Sequence, residues 1–477
     1  ILISRYMWVA AAAPLAFAQL VAVVVAATPP DWCTGVAAPI PGRTTALARH
    51  PVVTGAAEDG RVRITWGVQA KLAPAKSATG IVEWGVSGDA SSYSRNATAE
   101  NLPLMWENYD DTPLIKRMTR FSAWLEDVPA AQSICYRVKL DGKELVGGLS
   151  FGSNPRATTP AASAASYPVK FIAFGDFGIG EENRWNRSAD QPWFNPTNAE
   201  AQVRNVMRSS GKFNDSDFML ALGDDGYFKG EPHEYDQRTF PYYYREWSVM
   251  PLFITAGNHD YGHNKGQSYL DAFPQREQQT PTVDARDAGR YYSARWGGLH
   301  ISAIDTEWGQ FDSSTDANSR MATWFDKDLA AAAASPEVHW IIVIMHKTPF
   351  NLGNIPGDGD GGPQIHSTLL PIMMKHKVDL LMGGHWHNLQ RYPPIGSNGS
   401  LISIVSGGGG YAVGGETWDA CLLDGHDEPL ATGGVTPALV SHSHHFLHWE
   451  FQSRCNASMV AIDTTGKEID RLNLNKC

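Results

Sequence analysis

The chain has 477 residues, 43% of them hydrophobic, 10% aromatic and 19% charged, too much apolar bulk for a disordered or fibrous protein. Lys+Arg number 39 against 50 Asp+Glu, a formal charge of −11, and no basic stripe stands out, so nucleic acid and anionic lipid surfaces are poor partners. The length accommodates two or three domains with a core that needs no metal or disulfide to hold it.

The N-terminal stretch speaks to compartment. Tyr6 to Ala27 carries no charge, follows Arg5 and ends in Val25-Ala26-Ala27 before Thr28-Pro29-Pro30. Residues 1–27 therefore read as a signal peptide, with Pro14 and the Ala content favouring cleavage. The same run is long enough to be a signal anchor through residues 6–27. Once the leader is removed no stable membrane insertion is expected, because no later run is long and apolar enough. The destination is then the secreted space or an endomembrane or vacuolar lumen. Sequons at Asn96, Asn186, Asn214, Asn398 and Asn456 agree with a glycoprotein. The five cysteines, Cys33, Cys135, Cys421, Cys455 and Cys477, contain no C-x-x-C, which disfavours a zinc ribbon or thioredoxin site. One or two disulfides are expected, with Cys421–Cys455 the preferred pair.

Residues 28–50, rich in Pro and Ala, read as a linker. From residue 51 to 152 the pattern is of strands. Val62, Ile64, Trp66 and Val68 alternate with Arg61, Arg63, Thr65 and Gly67, and Ile134, Tyr136, Val138 and Leu140 alternate before the turn Asp141-Gly142. Several short strands in about 100 residues predict a small β-sandwich. Residues 153–168, low in hydrophobic bulk, read as a second linker. Over 169–477 short apolar runs recur: Val169–Phe174, Phe218–Leu222, Leu252–Ala256, Leu299–Ile304, Trp340–Met345, Val378–Met382 and Leu401–Val405. Helical stretches lie at Ala199–Ser209, Ser319–Ala334 and Gln364–His376. Strands alternating with helices predict an α/β layered fold with buried strands. The acidic glycine loop at 357–362 lacks EF-hand spacing. Ser441–His448 is rich in His but runs into Trp449-Glu450-Phe451, which predicts a closing β-hairpin rather than a metal site. Gly407–Gly410 lacks the Lys-Ser/Thr of a P-loop and reads as a tight turn.

The chemistry gathers just after the apolar runs. They are followed in turn by Gly175-Asp176-Phe177-Gly178, Gly223-Asp224-Asp225-Gly226-Tyr227, Gly257-Asn258-His259-Asp260, His346, and Gly383-Gly384-His385-Trp386-His387. Ligand sites of α/β sheets lie beyond the carboxyl ends of strands. Each motif alone is an ordinary turn or cap. Five together bring oxygen and nitrogen donors to one sheet edge, the make-up of a shared metal site.

These five motifs resemble those of the metallophosphoesterase (calcineurin-like) superfamily, and within it the purple acid phosphatases, closest to the tartrate-resistant type 5 branch. Gly178 replaces the His of the general D-x-H motif and Tyr227 is present instead, the mark of purple acid phosphatases. The resemblance implies a metallophosphoesterase β-sandwich flanked by helices, preceded by a small all-β, fibronectin III-like sandwich. It implies that Asp176, Tyr227 and His387 bind Fe(III), that Asn258, His346 and His385 bind a divalent ion (iron, zinc or manganese), and that Asp224 bridges them. Hard phenolate and carboxylate donors suit Fe(III), and imidazoles suit the divalent ion. His259 is then catalytic, donating to phosphate oxygens. The implied reaction is hydrolysis of phosphate monoesters by a metal-bound hydroxide, an acid phosphatase acting on small phosphorylated substrates. A phosphodiesterase or nucleotidase on the same metals, and a secreted interaction protein with a vestigial site, are the alternatives.

One departure bears on mechanism. The family commonly carries another His about nine residues past the lone metal His, and here Asn351-Leu352-Gly353-Asn354-Ile355 has none. His263, Asp358, Asp360 and His366 are the spare groups for an acid role. Lys347 has a possible substrate contact, but reads better as a solvated strand-end lysine. The sequence assigns no oligomeric state.

Overall fold

The computed structural model describes residues 33, 47–54, 61–69, 78–89, 95–98, 100–105, 117–153, 167–180, 198–275, 282–307, 316–351, 362–396, 399–411, 413 and 435–477. The leader, most of both predicted linkers, residues 357–361 of the acidic loop with Asp358 and Asp360, and Cys421 lie outside them.

The N-terminal part holds β1 (Leu47–Thr54), β2 (Val62–Gln69), β3 (Gly80–Val86), β4 (Arg95–Thr98), β5 (Glu100–Met105), β6 (Arg117–Leu125), β7 (Ser133–Leu140) and β8 (Lys143–Gly152). One sheet runs β4-β3-β7-β8, and β1-β2-β6-β5 runs in another. The alternating positions named above, from Val62 to Val68 and from Ile134 to Leu140, all turn inward and pack in one core. That is the predicted sandwich, with a difference at its start. β1 begins inside the segment read as a linker, and Leu47, Ala48, Arg49 and His50 are buried. Its stability comes from partners distant in the chain: β2 antiparallel on one side, and a parallel bridge from Thr54 to Leu252 on the other. Local composition does not reveal such pairing.

The C-terminal part contains β9 (Val169–Phe174), β10 (Phe218–Ala221), β11 (Leu252–Ile254), β12 (Tyr292–Trp296), β13 (Leu299–Ala303), β14 (Trp340–Ile344), β15 (Leu380–Gly383), β16 (Leu389–Arg391), β17 (Ile402–Ser406), β18 (Leu439–Ser441), β19 (His445–Phe451), β20 (Asn456–Asp463) and β21 (Glu468–Asn475). All seven apolar runs form strands. β21-β20-β19-β9-β10-β11 continues into β1-β2-β6-β5 as a ten-stranded sheet, and β12-β13-β14-β15-β17-β16-β18 faces it. Parallel strands buried on both faces need unbroken apolar runs, and β9, β10, β14 and β15 show them. Helices Ala199–Ser209, Asp316–Ala334 and Gly362–Lys375 cover the faces, close to their predicted bounds. Helix Phe240–Val249, which starts with Pro241 near its first turn, and helix Gln267–Ala272 were not anticipated. Among the described residues no helix is long and apolar enough to cross a membrane.

The disulfides correct the expected pairing. Cys455 joins Cys477, Cα–Cα 5.3 Å, and Cys33 joins Cys135, Cα–Cα 5.5 Å. The β20–β21 ladder pairs Asn456 with Asn475, which carries the C-terminus back beside the turn that holds Cys455. A pairing argument from spacing alone has no access to that register.

Candidate metal centre

β9, β10 and β11 are parallel neighbours, as are β14 and β15 in the facing sheet. Asp176, Asp224 and Asn258 thus leave one sheet and His346, His385 and His387 leave the other, toward the same edge. Asp176 and Asp224 take φ of 60° and 56°, in the left-handed region that Asp tolerates better than most residues. Glycine is required where backbone passes close to these ligands. A Cβ on Gly257 would lie 2.1 Å from Asp224 Oδ1, and one on Gly178 would lie 2.1 Å from the Asp225 carbonyl oxygen. Position 178 has no room for the His of a D-x-H motif.

Two groups of donors share one atom. The Tyr227 hydroxyl is 3.2 Å from Asp176 Oδ1, 3.0 Å from Asp224 Oδ2 and 3.3 Å from His387 Nε2. His387 Nε2 is also 3.3 Å from Asp176 Oδ1. His346 Nε2 lies 3.1 Å from Asn258 Oδ1 and 3.4 Å from Asp224 Oδ2. Metal–ligand bonds of ~2.1 Å put adjacent donors ~3 Å apart, so both sets have the spacing of ligands around an ion. Asp176, Asp224 and His346 alone offer atoms within 4.8 Å of one another. His385 donates its backbone N–H to Asp176 Oδ2 at 2.9 Å, and its ring stands 5.1 Å from that of His346. His346 Nδ1 meets the Leu222 carbonyl at 2.8 Å, which fixes the tautomer and turns Nε2 to the site.

Charge follows the geometry. Burial opposes ionisation of Asp224, but His346, His259 and His385 outweigh it and hold the carboxyl well below its usual range. Burial likewise opposes the charged form of His346, yet Asp224, Asp176 and Glu307 raise it to about 10. The pocket is built to hold positive charge. Behind it Asp260 accepts from Gly257 N–H at 2.8 Å, Asp225 N–H at 3.2 Å and the Tyr235 hydroxyl at 2.6 Å. Burial and the Asp224 charge push it to about 7.

His259 lies beside the centre. Its backbone N–H donates to Asp224 Oδ1 at 2.8 Å, its Nδ1 meets the Phe228 carbonyl at 2.7 Å, and its Nε2 is 3.9 Å from Asp224 Oδ2. The side chain is 30% exposed, so it reaches the mouth. Lys347 corrects the sequence reading. It is not a solvated lysine but is 11% exposed, 3.3 Å from the carboxylate of Glu307. His263 stands before the turn Asn264–Gly266, and His366 packs edge-on against Phe350 at 5.8 Å. The structure brings neither into the donor groups described above.

Tyr411 was missed. Its ring centroid lies 4.5 Å from those of both Tyr227 and His387. Gly409 and Tyr411 donate backbone N–H groups to the carbonyls of Gly175 and Asp176, each at 2.9 Å. The signal was the glycine run at 407–410: it reads as a turn, and it lets the chain hug the Asp176 strand end and deliver the ring that follows.

This segment rests on the β19–β20 hairpin, which fits the sequence reading of the His-rich tail. His445 Nε2 meets the Ser406 hydroxyl at 3.0 Å and its N–H donates to Gly408 O at 3.0 Å. Burial lowers His444, His445 and His448 to about 4 each. These groups stay neutral when folded and take up protons when unfolded at ordinary pH values near 6.5. Their contribution to stability is therefore present above about pH 6.5 and lost as pH falls toward 4. The buried carboxyls of Glu200 and Asp260, raised by burial to about 8 and 7, act in the opposite sense. The histidine part is read as a difference: between pH 7 and 4.5 the melting temperature of His445→Gln should fall less than that of wild type. Parallel curves would rule this out.

Residues 169–389 match the family model described as calcineurin-like phosphoesterase. Purple acid phosphatase 17 of Arabidopsis thaliana is 26% identical over 288 residues, 55% of this chain and 73% of that protein. Tartrate-resistant acid phosphatase type 5 of Sus scrofa is 26% identical over 279 residues, 53% of this chain and 73% of that protein. The solved structure of purple acid phosphatase PPD1 from yellow lupin (Lupinus luteus) seeds superposes with a TM-score of 0.64 at 18% identity, covering 89% of this chain and 74% of that one, which shows a common fold. Motifs, architecture and comparisons converge: residues 169–389 match the calcineurin-like phosphoesterase family, and the chain is similar to the purple acid phosphatases.

Proposed function

We propose that the protein is a secreted acid phosphatase that hydrolyses phosphate monoesters at a binuclear centre. The observation that carries this reading is the sharing of Asp224 Oδ2, which lies 3.0 Å from the Tyr227 hydroxyl and 3.4 Å from His346 Nε2. Asp176, Tyr227 and His387 would hold a ferric ion, and Asn258, His346 and His385 a divalent one. When bound, such a pair supplies Lewis-acid charge for the ester and lowers the pKa of a coordinated water. Three anionic ligands against a total metal charge of about +5 leave the site locally positive, so it attracts phosphate although the chain is acidic. The chain itself orients the substrate. The Phe228 carbonyl fixes the His259 ring at the mouth, where it meets phosphate oxygens as charge develops. Two disulfides and exposed sequons at Asn214 and Asn456 support an oxidising, secretory compartment.

Metal analysis and a visible spectrum of the purified protein test this reading. A Tyr227 phenolate on Fe(III) gives a purple or pink charge-transfer band, and Tyr227→Phe bleaches it while the fold survives. An active, colourless wild type without iron would remove the ferric assignment.

A further inference from the structure

Besides the β1–β11 pairing, the N-terminal sandwich meets an unusual turn beside the metal centre. Tyr235–Thr239 is a π-helix leading into helix Phe240–Val249. Single π-turns are rare and occur often at functional sites. Four of its five side chains make contacts that matter here. Tyr235 donates to Asp260 Oδ1 at 2.6 Å, and Asp260 in turn accepts from Asp225 and Gly257 backbone. Thr239 donates to the Asp225 carbonyl and Arg238 donates to the Tyr227 carbonyl. The Arg238 guanidinium also lies 5.1 Å over the Phe228 ring. These three thus hold the backbone on either side of Asp224, Tyr227 and Asn258. Just before the turn, Glu234 accepts from the N–H groups of Phe228, Lys229 and Glu231.

The fourth side chain faces away. Asp236 pairs with Arg49 Nε at 2.5 Å, and the two side chains are 7% and 4% exposed. Arg49 lies on β1 and its guanidinium sits 4.7 Å over Phe240. Other contacts between the two parts include the β1–β11 bridge at Thr54 and Leu252, the His50 ring 4.7 Å from Tyr244, and hydrogen bonds from Tyr136 to the Ser248 carbonyl at 2.6 Å, Arg120 to the Asp271 carbonyl at 2.7 Å and Arg63 to the Gln275 carbonyl at 2.9 Å. The Arg49–Asp236 pair is placed on the turn itself.

We infer that Arg49 is a positioning residue for the metal centre, and that through Asp236 and the π-turn the N-terminal sandwich sets the loop that presents Asp224 and Tyr227. The sandwich is then a working part of the site rather than a passenger. Removing one member of a buried ion pair leaves the other uncompensated, so the turn should loosen where Asp236 is left alone. The iron arm of the test rests on the function proposed above; the exchange arm does not.

The experiment compares wild type, Arg49→Met, Arg49→Lys and Asp236→Asn as full chains, stripped of metal and reloaded. In the metal-free proteins, backbone amides of residues 224–230 should exchange with deuterium about tenfold faster in Arg49→Met than in wild type, while amides of residues 383–388 on the facing sheet stay unchanged. After reloading, iron affinity should fall about tenfold and the charge-transfer band should shift, while the divalent ion, which keeps His346 and His385 of the facing sheet, should be weakened less. Arg49→Lys should recover part of both effects. Asp236→Asn, which keeps the shape of the turn, gives the same local pattern if Arg49→Met does not fold. A folded Arg49→Met with wild-type exchange at 224–230 and wild-type iron retention would overturn the inference. So would faster exchange spread evenly over both sheets, which marks general destabilisation. A wild type lacking iron and colour would count against the function proposed, while the exchange result would still decide the role of Arg49.

Discussion

Asp224→Asn is expected to abolish measurable phosphatase activity and to strip both metals. Asp224 Oδ2 belongs to both donor groups, so on the proposed binuclear reading the substitution would remove a charged ligand from each ion at once. On the same reading, changing Asn258 or His387 would touch one ion only. Loss of a group that merely supports a ligand costs ~10–100-fold in affinity or activity, and losing the shared ligand should exceed that range clearly. The effect extends to the metal-free protein. Asp224 is held ionised by His346, His259 and His385, and its charge is a main cause of the raised imidazole of His346. Asparagine should therefore let His346 lose its proton at lower pH in the apo-protein, which a two-dimensional NMR titration of the imidazoles reads directly. A variant that keeps both metals and loses only a few-fold in rate would show that Asp224 does not bridge.

The parts of the molecule that were legible before the fold was known share one property. Their signal is local. Val169–Phe174, Trp340–Met345 and the other buried parallel strands are unbroken apolar runs because both faces are covered, and the turns after β9, β10, β11, β14 and β15 carry the candidate ligands within a few residues. Asp176, Asp224, Tyr227, Asn258, His346 and His387 could be grouped from sequence because parallel strands put all such turns at one edge. What stayed hidden depends on partners far along the chain. The first four residues of β1, Leu47 to His50, looked like linker because their pairing with β2 is invisible in LARH. Cys455 finds Cys477 only through the β20–β21 register. Lys347 looked like a solvated strand end until β13 and the residues after it brought Glu307 beside it. Tyr411 is an ordinary aromatic after four glycines until the chain folds back on Asp176. The π-turn has no sequence pattern of its own, since its extra residue per turn is dictated by the contacts of Tyr235, Asp236, Arg238 and Thr239.

Substrate preference carries the second large expected effect. Hydrolysis of a monoester needs the departing oxygen protonated or stabilised, and a placed acid contributes ~10²–10⁴-fold. The chain lacks the family's usual His after His346, and the described residues bring no substitute into the donor groups. Lys347 is held by Glu307, His366 packs on Phe350, and His263 precedes a turn at Asn264. Aryl phosphates leave as stabilised phenolates and need little help, while alkyl phosphates leave as strongly basic alkoxides. We therefore expect kcat/KM for phenyl phosphate to exceed that for a simple alkyl phosphate by ~10²-fold or more, with the gap residing in kcat because the phosphate group binds the same way in both. His263→Ala and His366→Ala should leave that ratio unchanged. If either substitution slows alkyl esters alone, that imidazole reaches the leaving group and the preference has another origin. If wild type handles both esters equally and neither histidine matters, Asp358→Asn and Asp360→Asn become the decisive variants. Equal rates that survive all four changes would mean that leaving-group protonation does not limit turnover in this protein.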